Sequence, residues 1–304
     1  MANQILNIGI YLGLIAQLDK LARHNRQGSF RTKERYYEAM KRFCAFLADD
    51  FRLQKLANVN GKHLTAYILK LQNDGKAPST IKTDLAAIRF FHDLMDAKYK
   101  LPSNDELKVT LQRRTFGGVD RTWSAEEFSR MLACALRQGR EDYVTILYLG
   151  RYAGLRIHEC YRIDTAIAAD AVKREAITVK GKGGLIRTVP LCPILMSRLQ
   201  LHLLQTPRGH KLFVPDDRQT HLAIQALQTF ICTYRPFAQD PHSDRPMTFH
   251  GLRHSCAAEW YDARIKNGKS PYQARLEVSH LLGHGRDDVT KIYLASRKDG
   301  EQDA

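Results

Sequence analysis

The sequence predicts a mainly α-helical protein of two domains with one small β-hairpin. Apolar residues recur at the three- and four-residue spacing of helices through most of the 304 residues. Two short β-branched runs flank the Gly-Lys-Gly-Gly turn at residues 181–184, which is typical of a hairpin. A chain of this length can bury two separate cores, so we expect two domains of ordinary size.

Residues 1–111 predict an all-helical domain, in which residues 1–25 form an extra N-terminal helix. The expected helices cover 4–24, 31–50, the stretch between Asn60 and Gly75, and a stretch from an N-cap at Ser79 or Thr80 to about Lys98. We expect the first helix to pack on its own domain. Contact with a neighbouring protomer is the alternative.

Residues 112–122 predict an interdomain linker, because arginines and paired glycines occur there without periodicity. Residues 123–304 then predict an α+β domain that opens with a capping box, Ser124 and Glu127. Its expected elements are helices to about Arg137 and over 142–152, a hairpin over 176–191, and helices over 193–205, 219–235, 249–267 and 271–282.

The formal net charge of +15 indicates a polyanionic partner. A generally basic surface or an anionic membrane would also fit this charge, but we find no polybasic amphipathic helix. Nucleic acid is therefore the favoured partner, and the excess of lysines and arginines along the helices of residues 1–111 suggests DNA. A basic linker between two basic domains would let them close around a duplex.

Cysteine spacing and hydropathy predict a cytoplasmic protein. None of the six cysteines lies within 20 residues of the next, so we expect reduced thiols rather than disulfides or a Cys-x-x-Cys site. The N-terminus lacks the basic region and the cleavage site of a targeting segment, and no stretch reaches a membrane-spanning length.

Five short motifs follow one another in the second half of the chain. They are Gly-Leu-Arg-Ile-His-Glu-Cys at 154–160, the hairpin residue Lys182, His-Gly-Leu-Arg-His at 250–254, Leu-Leu-Gly-His at 281–284, and Tyr293 nine residues after that last histidine. In this order they resemble the motifs of the tyrosine recombinase family of the phage-integrase type. The helical first half resembles the SAM-like core-binding domain of that family, and the resemblance spans about residues 30–294.

The resemblance implies a site-specific recombinase or integrase that cuts and rejoins duplex DNA. Tyr293 would be the nucleophile, leaving a 3′-phosphotyrosyl link and a free 5′ hydroxyl. Arg156 and Arg253 would clamp the phosphate, because guanidinium groups match its geometry and stay charged. His250 lies one helical turn before Arg253 and would take the tyrosine proton.

The remaining residues of the expected site complete this chemistry. His284 would hydrogen-bond a phosphoryl oxygen, and Lys182 would protonate the leaving oxygen. Glu159 would orient Arg156 or a neighbouring histidine from behind. We expect no metal and no other cofactor, because the arginines stabilise the charge. We expect no ATP, because the phosphotyrosyl link conserves the bond energy.

Each of these residues also has an ordinary structural interpretation. Tyr293 alone would fit a core position, and His250 alone would fit a helix cap. His250 and His254 would form half of a zinc site, but no third ligand is evident. Lys180 competes with Lys182 for the role of the acid, and the family pattern favours Lys182.

The three other arginines of this region are expected on the surface or against the DNA backbone. They are Arg151, Arg162 and Arg187.

The resemblance implies a homotetramer on two DNA sites, and a monomer is the expectation for the free protein. A type IB topoisomerase-like relaxing enzyme shares this set of residues and remains an alternative. A non-catalytic DNA-binding regulator on the same scaffold is the second alternative, and the complete set of six residues argues against it.

Overall fold

The structure of the protein is a computed structural model that describes residues 5–24, 30–112, 119–181, 184–283 and 287–295. The chain divides into two compact units, Met1–Thr115 and Phe116–Ala304. Helices dominate the described part of both units, and its one sheet has two strands. The predicted fold class is therefore confirmed. Residues 113–118 of the predicted linker lie outside the described residues.

The described part of the first unit is built from four α-helices around one core. They are α1 (Ile8–His24), α2 (Phe30–Phe51), α3 (Gly61–Asn73) and α4 (Pro78–His92), with a short 3-10 turn at Leu56–Asn58. Helices α1 and α4 both pack on α2. Leu14 and Leu18 of α1 and Phe43 of α2 are completely buried in this core. Burial of such side chains is the main favourable term for folding.

Polar contacts fix α1 against its own unit. The Gln17 amide oxygen accepts a hydrogen bond of 3.0 Å from the Leu56 backbone amide. The Tyr37 hydroxyl donates to Asp19 over 2.5 Å. Helix α1 therefore packs on its own unit, as we expected for the N-terminal helix.

Helix α4 begins and ends earlier than the sequence predicts. Its N-cap is Ala77, with Pro78 at the first helical position, so the expected cap at Ser79 or Thr80 is wrong. Proline suits this position because its missing N–H would have no helical acceptor there. The helix ends at His92 rather than near Lys98, because the next amides bond three residues back and tighten the last turn.

One carboxylate of the first unit is buried where α2, α3 and α4 meet. Asp84 is 1% exposed and accepts hydrogen bonds from Arg42 Nη2 at 2.7 Å and from the Tyr67 hydroxyl at 3.0 Å. Burying this carboxylate without a partner would cost more free energy of folding than these hydrogen bonds contribute. The three side chains therefore specify how the three helices are aligned.

We predict that Asp84→Asn destabilises the first unit by about 1–2 kcal/mol, because the charge-assisted bonds to a half-exposed Arg42 are lost. Calorimetry of the full chain should show the transition of this unit lowered by about 5–10 °C. The matched control is Asp50→Asn, which removes an exposed pair with Lys70. That control should change stability by about 0.5 kcal/mol or less, and equal effects of both substitutions would contradict the prediction.

The described part of the second unit is also mainly helical. Its elements are α5 (Ala125–Arg137), α6 (Glu141–Tyr152), α7 (Ile157–Cys160), α8 (Thr165–Arg174), β1 (Ala176–Lys180), β2 (Ile186–Pro190), α9 (Pro193–Gln205), α10 (Thr220–Ala238), α11 (Phe249–Lys266), α12 (Pro271–Leu282) and α13 (Asp287–Tyr293). Helices α6 and α11 pack against each other in the centre of this unit. Their approach is close at Gly150, where an added Cβ would lie 2.9 Å from Phe249 Cζ.

The hairpin follows a helix that the sequence did not predict. Helix α8 begins at the N-cap Asp164, whose side chain accepts from the Ile167 amide at 2.8 Å. It ends at Glu175, which adopts a left-handed φ of 53° and turns the chain into β1. Strands β1 and β2 are antiparallel, and Val179 pairs with Arg187.

Among the residues that the structure describes, no helix combines the length and the apolar character needed to cross a membrane.

Candidate active site

Arg253 is the most deeply buried charged side chain of the second unit's described residues, and it joins three elements. It is 0% exposed. Its Nη1 donates to the Gly154 carbonyl just after α6, and its Nη2 donates to the Leu282 carbonyl at the end of α12. Its Nε lies 3.4 Å from the Tyr293 hydroxyl at the end of α13. Loss of hydration lowers the pKa of Arg253 to about 10, which still leaves the guanidinium charged at neutral pH.

Tyr293 has a buried ring and a hydroxyl that lies beside the charged Arg253 guanidinium. It is 6% exposed, and its ring belongs to an apolar cluster with Tyr261, Val278 and Leu282. The Arg253 guanidinium carbon lies 5.5 Å from the centre of the Tyr293 ring. The ring of Tyr293 can therefore serve as a core side chain while its hydroxyl remains beside Arg253.

Two histidine rings from the first turns of α11 pack beside Tyr293. The ring centroid of His254 lies 4.5 Å from that of Tyr293, and the centroid of His250 lies 5.6 Å from it. His254 is 2% exposed, whereas His250 keeps an exposed surface. The two histidine rings are 5.1 Å apart.

Both imidazoles are held in the neutral form at pH 7. Loss of hydration, then Arg253, Arg156 and Arg121, lower the pKa of His250 to about 4. Because His250 also has an exposed surface, the nearby arginines are the firmer cause of this shift. Loss of hydration, then His250 and Arg121, lower the pKa of His254 to about 3. A neutral imidazole beside a tyrosine hydroxyl is able to accept a proton.

We predict that Arg121→Gln raises the pKa of both histidines, because removing a positive neighbour makes imidazole protonation easier. An NMR titration of the ring protons of the DNA-free protein measures both values. Arg130→Gln is the matched control, because Arg130 is exposed on α5 and influences neither ring. Unchanged titration of both rings in Arg121→Gln would contradict the prediction.

Arg156 lies at the N-cap of α7 and contacts Glu159, which is fully buried. The Arg156 amide donates to Glu159 Oε2 at 2.8 Å, and Arg156 Nη1 donates to Glu159 Oε1 at 3.1 Å. Arg156 and His250 line the same cleft. Burial alone would raise the pKa of Glu159, but its bonds from Arg187 and Arg156 outweigh this effect and hold the pKa at about 2.

Arg187 corrects the expectation of a surface or DNA-backbone position. It is 7% exposed, and its two Nη atoms donate to the two oxygens of Glu159 at 2.9 and 2.7 Å. The reason is the alternation of β2, which places Arg187 and Val189 on the buried face and Ile186 on the exposed face. This alternation is the sequence signal that could have found the contact.

Arg151 was also expected on the surface, and this expectation is wrong. It is 8% exposed and forms an ion pair with Glu259. Arg162 is exposed, as expected, and its Nη1 lies 3.4 Å from the Lys180 carbonyl.

Gly251, between His250 and Arg253, lets residues 121–123, which begin inside the predicted linker, cross α11 at close range. An added Cβ would lie 2.7 Å from the Trp123 indole nitrogen and even closer to the Arg121 carbonyl. The Trp123 indole donates to the Thr248 carbonyl at 3.0 Å, and its amide donates to Ser255 Oγ at 2.8 Å. No larger residue fits without displacing this segment.

We predict that Gly251→Ala destabilises the second unit by about 1–3 kcal/mol through overpacking. Gly13→Ala is the control, because an added Cβ there meets nothing within 4 Å. Removing a helical glycine at that open position should stabilise its unit by about 0.5–1 kcal/mol. Calorimetry measures both changes, and a neutral Gly251→Ala would show that the segment at 121–123 yields easily.

Two residues of the expected site, Lys182 and His284, lie outside the described residues. Their described neighbours do lie near the arginines. A Cβ on Gly181 would be 3.6 Å from Arg156 Nη1, and a Cβ on Gly283 would be 3.4 Å from Arg187 Nη1. Gly283 ends α12 with a left-handed φ of 68°.

Potential metal ligands do not cluster in the part of the chain that the structure describes. No group of three His, Cys, Asp or Glu side chains able to hold a metal ion occurs there. The possible half site at His250 and His254 thus gains no third ligand from these residues.

Comparison with known families shows which family the chain belongs to. The family model described as "Phage integrase family" matches residues 122–299, more than half of the chain. The model described as "Phage integrase, N-terminal SAM-like domain" matches residues 14–99. The protein belongs to the phage integrase family, and the resemblance seen in its motifs is confirmed.

Two curated relatives cover most of the chain at low identity. Tyrosine recombinase XerD of Halalkalibacterium halodurans is 22% identical over 275 residues, covering 87% of both chains. Tyrosine recombinase XerS of Streptococcus pyogenes is 23% identical over 340 residues, covering 91% of this chain and 90% of the relative.

Solved structures share the fold. A lambda integrase dimer bound to a COC′ core site has a TM-score of 0.65 at 17% identity, covering 96% of this chain and 97% of the other. XerH bound to a palindromic difH substrate after cleavage has a TM-score of 0.60 at 16% identity, covering 96% and 85%.

Proposed function

We propose that this protein is a site-specific DNA recombinase that cuts and rejoins duplex DNA through a covalent link to Tyr293. The observation that carries the proposal is the Tyr293 hydroxyl, which lies 3.4 Å from Nε of the buried Arg253 and beside neutral histidine rings. Helices α11 and α13 thus bring together side chains that could serve as nucleophile, fixed positive charge and proton acceptor, which supports the proposal.

Cleavage would proceed by attack of the Tyr293 oxygen on a backbone phosphorus. The phosphotyrosyl bond forms at the 3′ side, the bond to the 5′ oxygen breaks, and that oxygen leaves as a hydroxyl. Arg253 and Arg156 would stabilise the charge on the non-bridging oxygens. His250 would accept the tyrosine proton, since its low pKa keeps an acceptor nitrogen available. Rejoining is the same step in reverse, with a 5′ hydroxyl as the nucleophile.

The roles of Lys182 and His284 are proposed from the family motifs that these residues match. Lys182 would protonate the leaving oxygen, and His284 would hydrogen-bond a phosphoryl oxygen. The neighbouring residues Gly181 and Gly283 lie near Arg156 and Arg187, which supports placing both side chains at this site. Glu159, which bonds to Arg156, would hold that arginine in position.

We also propose the domain roles and the assembly. Residues 1–111 would bind the DNA core site, residues 112–122 would link the two domains, and residues 123–304 would perform the chemistry. Neighbours with this fold include a lambda integrase tetramer bound to a Holliday junction. A homotetramer on two DNA sites is therefore the proposed working assembly. We also propose action on DNA in a bacterial cytoplasm, which the bacterial relatives support.

We predict that wild-type protein becomes covalently attached to DNA on a nicked suicide substrate, whereas Tyr293→Phe does not. The substrate carries the protein's own target site, located by footprinting, with a nick that lets the cleaved fragment diffuse away. Covalent complexes are counted on a denaturing gel. Tyr272→Phe is the matched control, because Tyr272 is 57% exposed on α12. Attachment by Tyr293→Phe, or none by the wild type, would refute the proposed chemistry.

A further inference from the structure

Arg187 occupies a central position behind the proposed phosphate clamp. Its fork holds both oxygens of Glu159, and the same carboxylate holds Arg156 through its amide and its Nη1. The exposed fraction of the side chain is 4% for Arg187, 0% for Glu159 and 19% for Arg156. Of the two arginines, Arg156 is thus the one that reaches solvent, where a phosphate would enter.

The charges explain why a second arginine is needed. One carboxylate cannot neutralise two arginines, so the buried trio keeps a net positive charge. The two Nη atoms of Arg187 each donate a hydrogen bond to one oxygen of Glu159. Because Arg187 occupies both oxygens in this way, Glu159 does not form a closed bidentate pair with Arg156. If Arg187 were removed, the buried carboxylate would be left undercompensated, and its strongest available partner would be Arg156.

Arg187 also packs against the ends of two segments that lead to proposed site residues. Its Nη1 lies 3.6 Å from the place that a Cβ on Gly181 would occupy, directly before Lys182. Its Cδ lies 2.9 Å from the place that a Cβ on Gly283 would occupy, directly before His284. A side chain at Gly283 would therefore displace Arg187, and glycine at this position permits the contact.

We propose that Arg187 is a positioning residue that acts through Glu159 to keep Arg156 directed toward the scissile phosphate. The expected effect of Arg187 on the cleavage rate rests on the proposed function. The orientation of Arg156 itself is a property of the DNA-free protein and can be measured separately.

The central variant is Arg187→Gln, assayed by single-turnover cleavage at saturating DNA. We expect cleavage about 100-fold slower, the size of effect produced when a reacting group is misplaced by about 1 Å, with DNA affinity nearly unchanged. Arg187→Lys keeps the charge but loses the fork, so its rate should lie between the wild type and Arg187→Gln. This variant also keeps the test valid if Arg187→Gln folds poorly.

Two comparisons separate positioning from a general loss of structure. Arg151→Gln breaks another ion pair of a buried arginine in the same unit and should cleave at nearly the wild-type rate. The double variant Arg187→Gln/Glu159→Gln should cleave faster than Arg187→Gln alone, because the uncompensated carboxylate that captures Arg156 is gone. A double variant that cleaves no faster than Arg187→Gln would overturn the proposal.

A modified substrate distinguishes a positioning role of Arg187 from a purely structural one. A methylphosphonate at the scissile position removes one negative oxygen and so lessens the need for the clamp. The defect of Arg187→Gln should be about 10-fold smaller on this substrate if the clamp is what the variant disturbs. An equal defect on both substrates would overturn the proposal.

An NMR measurement decides the inference independently of cleavage. The Nε–H signal of Arg156 in the DNA-free protein should shift in Arg187→Gln and return toward the wild-type position in the double variant. An unchanged signal in a folded Arg187→Gln would overturn the positioning role. If the wild type forms no covalent complex with DNA, the proposed function fails, while this signal still decides whether Arg187 directs Arg156.

Discussion

The burial of one guanidinium group determines how the second unit is arranged around its site. Arg253 reaches no solvent, so its charge must be satisfied inside the protein, and the carbonyls of Gly154 and Leu282 do this. Desolvating an ion costs several kcal/mol, which only well-placed acceptors offset. The chain after α6 and the end of α12 are consequently held at fixed distances from α11. Because Tyr293 packs on α12 and meets Arg253 Nε, its hydroxyl is held in place by the same requirement.

The electrostatic character of the site follows from an excess of arginines over carboxylates. Glu159 is the acid that bonds to Arg156 and Arg187, and Arg253 is satisfied by neutral carbonyls instead. Loss of hydration and the resulting positive field lower the pKa of His250, which keeps that ring neutral. An entering phosphate would supply the missing negative charge, so the site is arranged for an anion before one arrives.

The sequence predicted those parts of the fold and site that depend on local pattern. Helical spacing, the Gly-Lys-Gly-Gly turn and the order of the motifs were enough for the fold class and the family. Boundaries were less predictable: α4 begins at Pro78, and α8 was missed because its small alanine-rich stripe gives a weak apolar pattern. Long-range partners were not predictable at all. The residues around Arg187 do not indicate that its acceptor is Glu159, 28 residues away. Strand alternation would have placed Arg187 on the inner face of the hairpin, but it does not identify the acceptor.

The passage of residues 121–123 across Gly251 has a mechanical consequence. This segment includes the last two residues of the predicted linker, and it is fastened to α11 by two hydrogen bonds of Trp123 and by a contact too close for any Cβ. The fastening point lies between His250 and Arg253. A change in the path of residues 121–123 would therefore reach first the turn of α11 that carries His250 and Arg253. The positions of this histidine and this guanidinium are thus tied to the backbone that leads into α5.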